Sequence, residues 1–503
     1  MTSLPAVLAP TAIAALIVSA VLALAIGLRQ SARMQRLSDL LPLKRGREAG
    51  VNNAAEFSAT TVATTISLAT VVMAYFELAG FFGPWLYWTV VTTAFGLLVV
   101  RIVADRIATK LSSYGSRIPT LHEFIGVEFD SRVLTVVGAA ATSLGYLGAY
   151  AVELTVGSRL FANLVPGVSE WVVVVGLAIV GFTYTAAGGF RAVVLTDRVQ
   201  MLTIWFFIFA LGAFYLVALH GPGGIPTAWA GLPASSRELG PREGLAAFLV
   251  GVFVINVPSY VSDISMWQRV SSMREPRDLR AGLLRSAGSA TVSWGAIALL
   301  AILAPAIGHP FGEMHPVASM LANVAATASP WAVLVLFVAV AGLFAAMMST
   351  ASTLLVAVAH TVFEDLLSKD RHLTDDQRAD SSTTLRSARI ALVGAAVAAV
   401  AVVELLSYAK FTIADFVFAI YGAQLALFPP VCAALYLGRD RLRSRSRWAT
   451  AAIACGFSAG WVAALFGKFT HADTIVFLAP VVSLLVSFVL VLPVLKRPRG
   501  IDR

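Results

Sequence analysis

Thirteen long apolar runs constrain the fold of this chain more than any other feature of its sequence. A helix needs about 20 mostly apolar residues to cross the hydrocarbon core of a bilayer. Runs of this kind cover residues 6–28, 57–80, 84–105, 132–158, 171–189, 191–219, 243–262, 284–307, 331–361, 387–408, 412–437, 448–467 and 474–495. Since backbone polar groups in lipid must be satisfied within each helix, the chain is predicted to be an all-α polytopic membrane protein with about 13 transmembrane helices.

The composition excludes a soluble enzyme and a nucleic-acid-binding domain. Only 13% of the 503 residues are charged and 58% are hydrophobic, whereas soluble domains carry about 25% charged residues. The seven histidines are scattered without metal-ligand spacing, and the two cysteines, Cys432 and Cys455, lie in apolar runs, so they suggest no disulfide framework. We therefore expect no enzymatic activity, no cofactor and no nucleic-acid partner.

The basic residues predict the orientation of the chain. If the N-terminus is outside, five of the 37 Lys and Arg residues fall on the outer side, which leaves 32 inside. Basic residues concentrate in cytoplasmic loops, so we predict a multi-pass plasma-membrane protein with its N-terminus outside and its C-terminus in the cytoplasm. Basic clusters on the inner side are expected to contact anionic lipid.

Hydroxyl groups are concentrated in the middle of the ninth run, at Ser349, Thr350, Ser352 and Thr353. The first, third and fourth of these lie at i, i+3 and i+4 and therefore share one helix face. Hard cations prefer oxygen ligands, so hydroxyls and carbonyls can replace the water around sodium. The alternative, hydroxyls bonded to carbonyls of their own helix, explains one or two such groups more easily than four.

The second run is also rich in hydroxyls, from Thr64 to Thr70, and is followed by Leu78-Ala79-Gly80 and Gly83-Pro84. Small residues of this kind serve helix packing in membranes. They also fit an interrupted helix whose freed carbonyls line a site at the bilayer midplane. The segment alone leaves both interpretations open.

Acidic residues within the runs are the other exceptions to an apolar interior, and they mark functional sites by default. Asp197 follows a double glycine, Gly188-Gly189, which predicts a tight turn between two spans. A simple ion pair between Asp197 and Arg198 is the alternative to a functional role.

These segments together resemble the sodium/solute symporter family, whose members have the LeuT-type 5+5 inverted repeat. The matching strings are Gly188-Gly189-x-x-Ala192-Val193-x-x-Thr196-Asp197-x-x-Gln200, Ala345–Thr353, Asp263-x-x-x-x-Gln268-Arg269, and Ala419-Ile420-Tyr421-Gly422 with Pro429-Pro430. The resemblance implies a single transporter domain over residues 1–503. It would consist of one extra helix at 6–28, a first repeat at about 57–219, a second at about 243–437, and two extra helices at about 448–495.

The resemblance also implies two cation sites. The main sodium site would combine backbone carbonyls of Ser67, Thr70 and Ala346 with the hydroxyls of Ser349 and Thr350. A second sodium would lie beside Asp197, with Ser349, Ser352 and Thr353 as hydroxyl partners.

A substrate cavity is implied near the interrupted helix, lined by Ala74, Glu77, Glu153, Asn256, Tyr260, Phe418 and Tyr421. If Glu77 and Glu153 both face it, an amine or a zwitterion such as an amino acid or betaine is favoured. The alternative is that either carboxyl pairs within the protein or lies at the outer interface.

The expected function is therefore sodium-coupled symport of a small organic solute into the cytoplasm by alternating access, with sodium as a co-transported ion and the monomer as the functional unit. Proton coupling through Glu77 or Asp197 is the alternative mechanism. A membrane sensor built on a transporter fold is the alternative class.

Overall fold

The computed structural model describes residues 4–32, 40–41, 51–65, 68–114, 119–220, 224–273, 276–308, 313–367, 382–408 and 411–496. Within these ranges the regular elements are helices, and an isolated bridge joins Val51 to Met273. The all-α prediction is confirmed.

The helices of the first half are α1 Leu8–Ser31, α2 Ala54–Thr60, α3 Leu68–Phe82, α4 Tyr87–Ser112, α5 Leu121–Glu128, α6 Arg132–Leu164, α7 Glu170–Ala218, α8 Gly224–Gly231 and α9 Ala234–Arg237. Those of the second half are α10 Leu245–Asn256, α11 Ser259–Ser262, α12 Ile264–Ser271, α13 Pro276–Ile307, α14 Pro316–Ala326, α15 Pro330–Thr361, α16 Ser382–Tyr408, α17 Ile413–Gln424, α18 Phe428–Tyr436, α19 Arg439–Arg443, α20 Ser446–Phe469 and α21 Asp473–Leu495. Two π-helical turns, Thr61–Thr65 and Val362–Leu367, and two 3-10 turns, Gly83–Leu86 and Leu425–Leu427, connect some of them.

Eleven helical segments in the described part of the chain are long and apolar enough to cross a membrane. Two of them, Ala69–Ser112 and Glu170–Ala218, contain 44 and 49 residues, about twice what one crossing needs. Each has an internal break, at Gly83 and at Gly189, both with positive φ. The exact number of thirteen crossings stays a prediction.

Two interrupted segments meet in the interior of the bundle. Between α2 and α3 the chain leaves α geometry for a π-helical turn over Thr61–Thr65, and residues 66–67 lie outside the described part. The segment from α10 to α12 is broken near Pro258 and again at Asp263, whose carboxylate caps α12 by accepting from the Met266 N–H. The first interruption agrees with the interrupted-helix interpretation, whereas the second was not predicted. Single π turns are rare in helices and are frequent at functional sites.

Helix α1 packs closely on α7 and also contacts α15. At Gly27 an added Cβ would come within 2.7 Å of Tyr184, and at Gly188 it would come within 2.9 Å of the Gly27 carbonyl. Since real Cβ contacts are never this short, small residues are what allow the two backbones to approach. At the other end of the sequence, α20 and α21 pack on each other and on α17.

Gly189 makes the sharp bend within α7. Its backbone has φ 63° and ψ −165°, a combination that is essentially restricted to glycine. The double glycine therefore forms the predicted turn, within a segment whose hydrogen bonds otherwise continue as helix.

We expect Gly189→Ala to destabilise the protein by about 1–3 kcal/mol, because a Cβ makes this backbone conformation strained. Gly176→Ala and Gly212→Ala in the same helix are matched controls, since a Cβ at either position meets no atom within 4 Å. Alanine favours a helix over glycine by up to about 1 kcal/mol. The measurement is the melting temperature of each variant in detergent. Equal melting temperatures for all three variants would contradict the prediction.

Candidate functional site

The hydroxyl-rich face of α15 contacts the first interrupted segment. Ser349 and Thr350 are fully buried. The Thr350 Oγ1 lies 3.4 Å from the carbonyl oxygen of Ala63 in the π turn and 3.3 Å from that of Ala346 in its own helix. Thr350 and Ala346 lie one turn apart in α15, and a carbonyl from the interrupted segment lies opposite them.

The first-repeat side differs in detail from the sequence expectation. Ser67 lies outside the described residues. The Thr70 hydroxyl donates to Glu153 Oε1 at 2.5 Å, and the carbonyl of the interrupted segment that the Thr350 hydroxyl contacts belongs to Ala63. Sequence reasoning missed Ala63 because every residue carries a carbonyl. The direction of that carbonyl depends on the π-helical geometry, which the amino-acid sequence alone does not predict.

Asp197 lies in a buried polar cluster directly beside this contact. Its Oδ1 accepts from the Ser349 hydroxyl at 2.7 Å, and its Oδ2 accepts from the Thr60 hydroxyl. The Arg269 Nη2 lies 3.9 Å from Oδ2. The neighbouring Arg198 pairs instead with Glu56, at 3.6 Å. The alternative of a simple Asp197–Arg198 ion pair is therefore wrong, and Arg269 is the cation that faces Asp197.

Arg269 contacts two of the residues that were predicted to hold a second sodium, Asp197 and Thr353. Its side chain is only 1% exposed. It donates to the hydroxyls of Thr353 and Thr60, both at 3.2 Å, and to the Ser265 carbonyl at 3.0 Å. Thr353 and Asp197 are thus connected through the guanidinium. Ser352 donates to the Ser349 carbonyl, at 3.0 Å, a bond within its own helix.

A cavity lies beside Thr70, between α3, α10, α13 and α17. It has a more polar part that includes Thr70, Asn256, Ser259 and Asp263. The adjoining part is almost entirely apolar, and its walls are Val71, Ala74, Leu78, Phe248, Val252 and Phe418. The two parts share Asn256 and Trp294, so a polar and an apolar part adjoin at these side chains.

Five of the seven predicted substrate residues line this cavity, namely Ala74, Asn256, Tyr260, Phe418 and Tyr421. The two glutamates are not among its walls. Glu77 Oε1 lies 3.2 Å from His315 Nε2, and the fully buried Glu153 lies behind Thr70. Neither carboxyl lines the cavity, and each has a partner in the protein, as the alternative interpretation held.

The cavity residues that were missed from the sequence include Asp263, Trp294 and Gln424. The Asp263 carboxylate accepts from the hydroxyls of Tyr146 and Ser265, both at 2.5 Å. The position of Asp263 in the Asp-x-x-x-x-Gln-Arg string could have identified it as a cavity residue. A lone Trp or Gln inside an apolar run carries no such indication.

A buried carboxylate joins helices at the end of the bundle that the basic residues assign to the cytoplasm. Glu128 pairs with Lys110 at 2.8 Å and with Arg439 at 2.9 Å, and it accepts from the Tyr114 hydroxyl at 3.2 Å. Burial, together with the Glu128 charge, raises the pKa of Tyr114 well above its ordinary value. The pKa of Arg439 is also raised, chiefly by its hydrogen bond to Glu128. These groups tie α4, α5 and α19 together.

The fold is that of known transporters. No protein-family model and no curated protein matches the chain. A Na+-coupled sialic acid symporter, solved in a substrate-bound outward-open state, superposes with a TM-score of 0.72 at 16% identity, over 97% of this chain and 98% of that one. Mhp1, a nucleobase-cation-symport-1 family transporter solved closed with bromovinylhydantoin bound, gives a TM-score of 0.54 at 14% identity, over 91% and 94% of the two chains. The chain is therefore a multi-pass membrane protein with the LeuT-type fold of these transporters.

Proposed function

We propose that this protein is a sodium-coupled secondary active transporter of the sodium/solute symporter family, which carries a small organic solute into the cytoplasm by alternating access. The observation that carries the proposal is the Thr350 hydroxyl, held between the Ala63 and Ala346 carbonyls. Three oxygens converge there, one from the π turn and two from α15. Oxygens of this type suit a hard cation, and carbonyls of an interrupted helix coordinate sodium in transporters of this architecture.

Sodium at this position would couple to the solute through the interrupted segment. The ion joins the π turn to α15, and Thr70, five residues beyond that turn, lines the cavity. A ligand shifts a conformational equilibrium only if it binds one state more tightly. Sodium bound at this point favours the state in which the cavity wall is complete, and by linkage the solute strengthens sodium binding by the same factor.

Asp197 is proposed to hold a second sodium, with Ser349 as a hydroxyl partner. That ion would share the carboxylate with Arg269, which approaches Oδ2 while Ser349 contacts Oδ1. Each ion that enters with the membrane potential contributes about 2.3 kcal/mol per 100 mV. The ratio of sodium to solute flux in proteoliposomes would distinguish one ion from two.

The remaining proposals concern orientation and assembly. With the N-terminus outside, the Glu128 cluster would lie at the cytoplasmic end of the bundle. We also propose that the protein acts as a monomer in the plasma membrane.

Sodium itself tests the proposal before any solute is known. We expect sodium chloride to raise the melting temperature of the purified protein above that in potassium chloride at equal ionic strength, in a saturable manner, because an ion that binds only the folded state stabilises it. Identical melting curves in the two salts would contradict sodium coupling. If uptake of an identified solute persisted without sodium under an imposed pH gradient, the proton-coupled alternative would be correct.

A further inference from the structure

The hydrogen-bonding groups of the cavity wall define the head group of the solute, and this inference rests on the proposed transport function. Several polar side chains there have already donated their hydrogens to the protein. Asn256 donates from Nδ2 to the Thr89 carbonyl at 3.3 Å and to the Thr92 hydroxyl at 2.9 Å. An amide nitrogen carries two hydrogens, so Asn256 has only its Oδ1 acceptor left.

The hydroxyls in the polar part of the cavity wall have likewise donated their hydrogens to other groups of the protein. Ser262 donates to the Ser259 carbonyl at 3.3 Å, Ser259 donates to the Ile255 carbonyl, and Thr70 donates to Glu153. Each hydroxyl has one hydrogen and two lone pairs, so these oxygens can only accept further bonds. This part of the wall therefore calls for N–H or O–H donors on the solute.

Two residues of the same wall, Trp294 and Gln424, carry buried N–H groups with the opposite requirement. Trp294 is 4% exposed, and its indole Nε1 makes no hydrogen bond within the described part of the chain. The Gln424 Nε2 is likewise buried without a partner there. A buried donor without an acceptor costs about 1–3 kcal/mol. A carbonyl oxygen on the solute would satisfy these groups, whereas an ammonium would not.

The charge of the described wall disfavours an anion. Among the described lining residues Asp263 carries the one carboxylate, and none is Lys, Arg or His. A carboxylate solute would lie near Asp263 without a cation from the wall, and a buried uncompensated charge is strongly unfavourable. An ammonium is compatible with Asp263 but leaves the Trp294 and Gln424 donors unpaired.

We infer that the solute is uncharged and carries an amide-type head, a carbonyl next to N–H, on an apolar body. The head would exchange hydrogen bonds with Trp294, Gln424 and Asn256. The body would occupy the apolar part of the cavity beside Phe248 and Phe418, whose ring centroids lie 6.2 Å apart.

Three compounds that share a phenylpropyl body test this inference: 3-phenylpropanamide, 3-phenylpropanoate and 3-phenylpropylamine. Thermal stability of the full chain is measured with each compound, in sodium and in potassium chloride. We expect the amide to raise the melting temperature in sodium, with no shift from the other two. An equal or larger shift from the carboxylate or the amine would overturn the inference, as would no shift from all three. In either case a shift from sodium alone would leave the transport proposal standing.

A second measurement addresses the indole N–H directly. Trp294→Phe keeps a ring but removes the donor, and we expect it to weaken binding of the amide about tenfold, the size of one hydrogen bond. Trp85→Phe is the matched control, because the Trp85 indole donates to the Gly240 carbonyl at 3.1 Å, outside the cavity. Unchanged affinity in Trp294→Phe would overturn the assignment of this group to the solute.

Discussion

Replacing Arg269 with glutamine is expected to destabilise the protein by about 3–5 kcal/mol, because the substitution leaves the Asp197 carboxylate buried without its cation. The guanidinium also donates to Thr60, Thr353 and the Ser265 carbonyl, so three further acceptors lose their donor. Melting temperature in sodium-free detergent is the direct measurement. Arg280→Gln is the matched control, since Arg280 pairs with Asp105 where both side chains are about half exposed, and such surface pairs contribute only about 0–1 kcal/mol.

The double variant Asp197→Asn with Arg269→Gln separates charge from packing. If Arg269→Gln loses stability because the Asp197 carboxylate is left without a cation, removing that carboxylate should recover part of the stability. The double-mutant cycle should then give a coupling energy between Asp197 and Arg269. Sodium should also stabilise Arg269→Gln more than the unaltered protein, because the ion can replace the missing positive charge. A single variant as stable as Arg280→Gln would contradict the pairing of Arg269 with Asp197.

Thr350→Val is expected to raise the sodium concentration for half-maximal stabilisation about tenfold or more. The substitution keeps the shape of the side chain but removes the hydroxyl that lies between the Ala63 and Ala346 carbonyls. An interaction of a polar group with a charge is worth about 1.5–3 kcal/mol, and every 1.4 kcal/mol is a factor of ten in affinity.

The matched control for this substitution is Thr361→Val in the same helix. Thr361 is fully buried, and its hydroxyl makes no hydrogen bond to the described residues, so its loss should leave the sodium titration unchanged. Equal sodium dependence in Thr350→Val and Thr361→Val would remove Thr350 from the proposed site.

The spans could be predicted from sequence because bilayer thickness translates directly into a number of apolar residues. The double glycine predicted its turn for an equally local reason, since Gly189 needs a backbone that other residues avoid. The hydroxyl face of α15 followed from helical periodicity alone. Each of these features depends on residues that are close together in the chain.

The remainder of the site depends on residues that are distant in sequence, and there the prediction was incomplete or wrong. Glu77 was assigned to the cavity, but it faces His315, more than 200 residues away. Arg269 could not be assigned to Asp197 rather than to a loop, since a basic residue near a span end has the same pattern in both cases. Trp294 resembled any other aromatic residue of an apolar helix until α13 was placed beside α3.

The close contact at Gly27 has a consequence for how the protein is made. Its partners, Tyr184 and Gly188, follow about 160 residues later in the chain. At a synthesis rate of about 5–20 residues per second, α1 must remain in the membrane for about 8–30 s before α7 exists to receive it. During that interval the face of α1 that carries Gly27 is exposed to lipid and to other nascent helices. The small residues that permit tight packing in the finished protein thus also leave its first helix exposed to wrong partners during biosynthesis.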